Sequence, residues 1–210
     1  MSSAESVVGQ ITEELEMKSR ARDRALVESR QIIRFAANTI RALHRGDLSA
    51  ADENLLAGRT MVEKTKRELS GHPDIYWAGY VQDAQKELAE AYLVGAMIRD
   101  SPLPAPGEIG VESAPYLNGL AEAASEMRRY VLDRIRTGQP QEMLEAERIL
   151  QLMDDVYTSL LTVDFPDAVT GGLRRTTDAL RAVLERTRGD LTISMRQVDL
   201  ERALSTFARR

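Results

Sequence analysis

Four glutamates lie in two closely spaced pairs along the sequence: Glu87, Glu90, Glu122 and Glu126. Residues three or four apart share one side of an α-helix, so each pair would place its carboxylates about 5 to 6 Å apart at Cβ. Carboxylates at this spacing repel each other unless a cation is shared. A site built only from carboxylates suits a hard divalent cation, Mg²⁺ or Mn²⁺. The chemistry that it favours is metal-assisted hydrolysis.

Ordinary solvated helix faces carry the same spacing, so both interpretations stay open at this point. Glu87 lies at the border of an apolar arc of its helix, formed by Trp77, Tyr80, Val81, Ala84, Leu88, Ala91 and Tyr92. Glu122 and Glu126 lie opposite the apolar arc of the next helix, so within one subunit we expect them to face outward. They are either surface residues or part of a wall that becomes enclosed when subunits assemble.

Four arginines fall on one narrow arc of the predicted first helix, away from its apolar side: Arg30, Arg34, Arg41 and Arg45. At 1.5 Å rise per residue they form a stripe about 22 Å long. A guanidinium matches phosphate oxygens, so a nucleic-acid backbone could follow this arginine stripe through contacts that are independent of sequence and weakened by salt. Solubility and ion pairs between subunits explain the spacing equally well.

Several protein classes are disfavoured by the residues present. The two histidines, His44 and His72, belong to no Glu-x-x-His pair, which argues against a ferritin-like di-iron bundle. Cysteine is absent, so disulfides, thiolate metal sites and a cysteine nucleophile are excluded. No apolar run approaches the roughly 20 residues of a membrane span, and the N-terminus has no basic region leading into an apolar one. We therefore expect a cytoplasmic protein with no membrane partner.

Helices must position these residues, because apolar residues recur at helical spacing nearly throughout and no stretch alternates like a strand. We expect an all-α fold of seven helices in a single domain, residues 1–210. The long first helix should turn Ile11, Leu15, Ile33, Ala36, Ile40 and Leu43 toward one side. The predicted helices cover about 4–45, 49–69, 73–99, 116–136, 140–161, 166–188 and 192–208.

Capping residues set several of these boundaries. Gly46 and Gly189 are predicted to end the first and sixth helices, and Ser49 is the candidate N-cap of the second. Residues 101–112 form the only loop of note. Glu145 is predicted to lie on a solvated face of the fifth helix.

Charge is distributed unevenly along the chain. The net charge is −5, which argues weakly against non-specific nucleic-acid binding. Residues 72–133 carry 4 Lys and Arg against 10 Asp and Glu, whereas residues 171–210 carry 9 Arg against 5 Asp and Glu. This segregation allows a basic path around an acidic centre.

Five segments together resemble the translin family, and specifically its nuclease branch, the translin-associated X (Trax) proteins. They are SRQIIRFAANTIRALHRGD, KELAEA, YLNGLAEAASEMRR, MDDVYTSLLTVDFPDA and GGLRRTTDALRAVLERTRGDLT. Their order and spacing span nearly the whole chain. The resemblance, which is to an archaeal-type member, implies a seven-helix translin-type bundle that assembles into a closed, roughly octameric shell enclosing nucleic acid.

The resemblance also implies a role for the glutamates, because the nuclease-branch subunits cut RNA using Mg²⁺. The family's catalytic Gln-Glu-Tyr-Val-Glu-Ala segment matches this chain at Glu87 and Glu90, and its acidic pair before a Met-Arg matches Glu122 and Glu126. Glu122 stands where the eukaryotic protein has aspartate, and Lys86 and Ala89 replace less charged or larger neighbours. These departures leave the detailed coordination open.

Two functional classes remain. The first is a Mg²⁺- or Mn²⁺-dependent endoribonuclease acting on RNA inside a homo-oligomer. The second is a non-catalytic protein that binds RNA, or single-stranded DNA, through its arginine stripe. A purely structural helical assembly would show no salt-dependent RNA binding.

Overall fold

The computed structural model describes residues 3–208, and every regular element in that range is a helix. In chain order the helices are α1 (Ala4–His44), α2 (Leu48–Glu68), α3 (Pro73–Tyr76), α4 (Gly79–Ile98), α5 (Pro106–Ile109), α6 (Ser113–Ile135), α7 (Pro140–Leu160), α8 (Asp167–Thr170) and α9 (Leu173–Ala208). Six of them are long, and α3, α5 and α8 are single turns. The predicted all-α fold with a long N-terminal helix is confirmed.

Helices α4 and α6 lie at the centre of the bundle. Helix α4 packs against α1 and α6, while α6 also packs against α7 and α9, and α2 packs along α1. The largest group of buried apolar side chains joins these helices, with Leu93, Met97, Met127, Ile149 and Leu184 almost completely buried. Because α6 has neighbours on more than one side, its residues outside the apolar arc are also partly enclosed.

Helix α2 begins two residues earlier than predicted. Asp47, not Ser49, is the N-cap, and its side chain accepts a hydrogen bond of 3.1 Å from the Ala50 amide. Gly46 has a φ of 75°, a left-handed conformation that glycine adopts without strain. Gly46 therefore ends α1 as predicted, and the next helix begins almost immediately.

The predicted third helix is two helices. A break at Trp77 and Ala78 separates α3 from α4, and it leaves the Trp77 side chain 60% exposed instead of on a buried arc. The predicted loop 101–112 also contains one helical turn, α5, which starts with Pro106 in its first turn.

The last two predicted helices form one continuous helix, α9, and the stop predicted at Gly189 is wrong. Gly189 is not among the glycines with positive φ. The buried Thr187 and Leu191 on either side of it pack against the bundle. Since a glycine inside a helix costs only about 1 kcal/mol relative to alanine, this packing decides the outcome.

Both long terminal helices extend beyond the core. Every described residue from Ser3 to Arg20 is exposed, and no described residue of α9 after Leu191 is buried. The apolar side predicted for α1 is therefore wrong at Ile11, Leu15 and Ile33, which are exposed. Within residues 3–208 no helix combines the length and apolar character that crossing a membrane requires.

Candidate metal and nucleic-acid site

Helices α4 and α6 pass unusually close to each other at Gly119. A Cβ atom placed on Gly119 would lie 2.7 Å from the Lys86 carbonyl oxygen and 3.0 Å from the Glu90 amide nitrogen. No side chain larger than hydrogen fits between the two backbones without moving them. The side chain that faces Gly119 from α4 is also small, because a Cβ on Gly119 would lie 3.0 Å from the Cβ of the fully buried Ala89.

This close approach brings the two glutamate pairs together. Carboxylate oxygens of Glu87 and Glu90 from α4 and of Glu122 from α6 lie within 4.8 Å of one another. We call these three residues the carboxylate cluster. All three are partly buried, so their charges are less screened than on an open surface.

Lys86 supplies a positive charge at the edge of the cluster. Its Nζ lies 2.7 Å from a Glu122 oxygen and 3.3 Å from a Glu87 oxygen. Burial lowers the pKa of Lys86, but the hydrogen bond to Glu122 and the charges of Glu122 and Glu87 outweigh burial, so its pKa is raised. Lys86 is therefore an ammonium ion that neutralises part of the cluster.

Glu90 lies in an environment that opposes its ionisation. Burial, followed by the negative charges of Glu87, Glu122 and Glu126, raises the pKa of Glu90 to about 8. Lys86 opposes this shift without cancelling it. With all three carboxylates ionised, the single ammonium group of Lys86 would leave two negative charges unbalanced, and a divalent cation would neutralise them.

Glu126 has a different partner. Its Oε1 lies 2.7 Å from His44 Nε2, and the His44 side chain is only 4% exposed. His44 is at the C-terminal end of α1, so this contact ties α1 to α6 beside the cluster. It fixes the position of the Glu126 carboxylate, which contributes to the raised pKa of Glu90.

The expectation that Glu122 and Glu126 face outward within one subunit is wrong. Their side chains are only 32% and 29% exposed, because α4 and the end of α1 cover the side of α6 opposite its apolar arc. The wall of acidic groups thus forms within a single chain and does not depend on assembly.

The arginine stripe lies on the surface, apart from the cluster. Arg30, Arg34, Arg41 and Arg45 are all exposed. Arg41 donates a hydrogen bond to the Asn38 side chain, and within residues 3–208 none of the four forms an ion pair. Because Arg45 directly follows His44, the stripe ends next to the residue that contacts Glu126.

Two relevant residues were not recognised from the sequence. His44 served only to argue against a di-iron site, and its contact with Glu126 joins residues 82 positions apart, which periodicity in one sequence does not reveal. Gly119 carried no predicted role. A signal for it was available in the run of small residues around Glu122, which is typical of closely packed helices.

Comparisons with known proteins agree with this architecture. No protein-family model matches the sequence. An uncharacterized protein of Methanocaldococcus jannaschii is 29% identical over 188 residues, a match that covers 89% of this chain and 82% of the relative.

Among solved structures, the crystal structure of AfC3PO superimposes with a TM-score of 0.81 at 29% identity, covering 90% of this chain and 96% of AfC3PO. C3PO is the complex of translin and Trax. The resemblance to the translin family is confirmed. AfC3PO in complex with duplex RNA gives a TM-score of 0.80 with the same identity and coverage. The translin-type fold also matches apo-NeC3PO, with a TM-score of 0.79 at 19% identity over 89% of this chain and 96% of that one.

Proposed function

We propose that this chain is an RNA-binding, metal-dependent endoribonuclease whose active site is the carboxylate cluster together with Glu126. The observation that carries the proposal is the meeting of Glu87, Glu90 and Glu122 within 4.8 Å across the α4–α6 contact. The resemblance of the sequence to the nuclease branch of the translin family suggests which reaction this site performs, namely RNA cleavage with Mg²⁺. The similarity to AfC3PO, which forms a complex with duplex RNA, supports the substrate class.

The residues present fit a hard divalent cation. All donors in the cluster are carboxylate oxygens, which Mg²⁺ and Mn²⁺ prefer. Glu90 is held largely protonated by burial and by the charges around it, so a cation would favour its ionised form. We propose Glu87, Glu90 and Glu122 as ligands and Glu126 as a further ligand or base.

The chemistry that the cation supplies when bound is a lowered pKa of water and neutralisation of charge on the phosphodiester oxygens. The chain's own groups orient the reactants. His44 holds Glu126 in one position, so that its carboxylate can accept a proton from an attacking water. Lys86 keeps Glu122 in place and adds positive charge where the phosphate would develop negative charge.

RNA binding is assigned to the arginine stripe. Arg30, Arg34, Arg41 and Arg45 offer guanidinium groups that are exposed and not ion-paired within residues 3–208. Contacts of this kind position a phosphate backbone without reading its sequence. The stripe ends at Arg45, beside His44, and so could lead RNA toward the cluster.

Assembly into a closed homo-oligomeric shell, an octamer, belongs to the same proposal. The exposed ends of α1 and α9 carry apolar side chains that a lone subunit leaves in water, among them Leu15, Ile193, Leu200 and Phe207. Burying such surface is the main driving force of subunit association. Light scattering that finds only monomers at micromolar concentration would contradict assembly.

A non-catalytic RNA- or single-stranded-DNA-binding protein is the second candidate, and Lys86 is the observation that favours it. Its ammonium group already neutralises Glu122 and Glu87, as a metal ion would. In that case the cluster stabilises the α4–α6 contact and performs no reaction.

The deciding experiment is incubation of labelled RNA with Mg²⁺ or with chelator, using the unaltered protein and Glu87→Gln. Glu87→Gln keeps the side-chain shape and removes one charge. We expect cleavage only with Mg²⁺, and a fall of about 100-fold or more in the variant, with RNA affinity unchanged.

Glu147→Gln is the matched control. Glu147 is exposed on α7 and has no hydrogen bond within residues 3–208, so its charge should not affect cleavage. Glu145, predicted to be solvated, is unsuitable because it accepts hydrogen bonds from Arg148 and Tyr130. If Glu87→Gln cuts RNA as fast as Glu147→Gln, the carboxylate cluster is not the active site. If the unaltered protein binds RNA but does not cut it with Mg²⁺, the non-catalytic candidate is correct.

A further inference from the structure

A groove lies beside the carboxylate cluster. It has a volume of about 410 Å³, and its lining includes Lys86 and Glu122 of the site together with Trp77, Asn118, Val169 and Arg175. The groove therefore opens directly onto the proposed catalytic residues. Its volume lies in the range of about 300 to 1,000 Å³ that is typical of small-molecule sites, enough for one nucleotide.

Trp77 gives this groove an exposed aromatic surface. It is the only tryptophan in the sequence, and its side chain is 60% exposed. The buried Tyr76 contacts it edge to face, with ring centroids 5.2 Å apart and an interplanar angle of 81°. Gln82 donates a hydrogen bond of 2.8 Å to the Tyr76 carbonyl oxygen and so fixes the turn that carries the indole.

The opposite wall is fixed as well. The Asn118 amide donates a hydrogen bond of 2.7 Å to the Thr170 carbonyl oxygen, and its oxygen accepts one of 2.8 Å from Thr176. Asn118 thus ties α6 to both α8 and the start of α9, on which Arg175 lies. A groove with both walls held by hydrogen bonds is formed before a ligand arrives, which lowers the entropy lost on binding.

The charges of the lining indicate what the groove would bind. Lys86 is paired with Glu122, whereas Arg175 and the lining carboxylate Asp83 are exposed and have no ion pair within the described part of the chain. An exposed indole offers a stacking surface for any nucleobase, and an arginine offers a fork for a phosphate. Together they suit a nucleotide better than an apolar peptide.

We infer that the groove holds one unpaired nucleotide of the RNA next to the phosphodiester that is cut, with its base stacked on Trp77 and its phosphate bound by Arg175. The inference rests on the proposed function. A base inside an A-form duplex is paired and stacked on its neighbours, so it cannot also stack on Trp77. The groove therefore favours cleavage at single-stranded, bulged or unpaired terminal nucleotides.

The single tryptophan allows a direct test of binding. In the presence of chelator, an RNA octamer of adenosines should quench the fluorescence of Trp77 in a saturable manner. An octamer of the same backbone without bases should bind through phosphate contacts without this quenching. Trp77→Ala should weaken binding of the adenosine octamer by about 10-fold or more, and Trp77→Phe should restore most of the affinity.

Phe165→Ala is the matched control, because Phe165 is 66% exposed on the segment before α8 but does not line the groove. It should leave the affinity for the adenosine octamer unchanged. With Mg²⁺ present, Trp77→Ala should reduce cleavage of unpaired RNA and leave the slower cleavage of a blunt duplex unaltered.

Two failures are distinguishable. RNA that is bound and cut with no change in Trp77 fluorescence, and at an equal rate by Trp77→Ala, would overturn the groove assignment alone. The absence of both RNA binding and cleavage would overturn the proposed function and this inference with it. Equal quenching by the octamer without bases would also contradict base stacking.

Discussion

A methyl group at position 119 would force α4 and α6 apart. In Gly119→Ala the new Cβ would lie 2.7 Å from the Lys86 carbonyl oxygen, whereas ordinary contacts begin at 3.4 Å. The difference is 0.7 Å, and the opposing atom is backbone, so the helices themselves must separate. Such overpacking costs about 1 to 3 kcal/mol. Alanine is about 1 kcal/mol better than glycine inside a helix, so we expect a net loss of about 1 kcal/mol in the free energy of unfolding.

The effect on cleavage should be much larger. The separation moves Glu122 away from Glu87 and Glu90, and a displacement of about 1 Å in a reacting group lowers the rate by about 100-fold. We expect Gly119→Ala to cut RNA roughly 10- to 100-fold more slowly with Mg²⁺, while its affinity for RNA with chelator stays unchanged. Urea unfolding and single-turnover cleavage measure the two quantities separately.

Gly189→Ala is the control, because a Cβ at Gly189 meets no atom within 4 Å. It should stabilise the continuous α9 by up to about 1 kcal/mol and leave cleavage unaltered. A Gly119→Ala protein with unaltered stability and an unaltered cleavage rate would refute the argument that the α4–α6 contact sets the spacing of the carboxylates.

Four further predictions concern charge. Because the pKa of Glu90 is raised from its ordinary 4.5 to about 8, Mn²⁺ affinity should rise from pH 6 to pH 8 with release of a proton, and calorimetry of Glu90→Gln should show a weaker pH dependence. Because the folded protein holds this proton more tightly than the unfolded chain does, the free energy of unfolding of the metal-free protein should fall as the pH rises from 6 to 8. Urea titrations of Glu90→Gln should show a smaller fall. Replacing both Arg34 and Arg45 by alanine should lower RNA affinity about equally for unrelated sequences and reduce the slope of log affinity against log salt by about 1.5 to 2, whereas an unchanged slope would exclude phosphate contacts. His44→Ala should release Glu126 and lower cleavage by about 10- to 100-fold at unchanged RNA affinity, and an unaltered rate would show that this contact is structural only.

Helical periodicity was sufficient to predict the all-α fold, the long first helix and the end of α1 at Gly46, because these depend on local patterns. It failed at Gly189, where packing of Thr187 and Leu191 outweighs the local preference of glycine. It also failed at Ile11 and Leu15, which are exposed. Helical spacing of apolar residues shows that they share one side of a helix, but it does not show whether that side packs against the core of the same chain.

The candidate site was only partly predictable for a related reason. Spacing within α4 and within α6 identified each glutamate pair, but the distance between the pairs depends on how closely two helices pack. Gly119 sets that distance, and the partners Lys86 and His44 become apparent only when the helices are placed together. The helical wheel of α6 was misleading for Glu122 and Glu126 because this helix is covered on both sides.

The exposed ends of α1 and α9 also affect how the protein should unfold. Residues 3–20 are all exposed, and in 192–208 only partly buried side chains such as Met195 and Val198 contact the bundle, so the helical hydrogen bonds of both ends have little tertiary support in a single subunit. Helices without such support are only marginally stable in water. A partner surface that covers these ends would therefore stabilise their helical conformation when it binds. Folding of the two ends would then be coupled to association. The melting temperature should then rise with protein concentration, as for any protein stabilised by mass action of its own subunits.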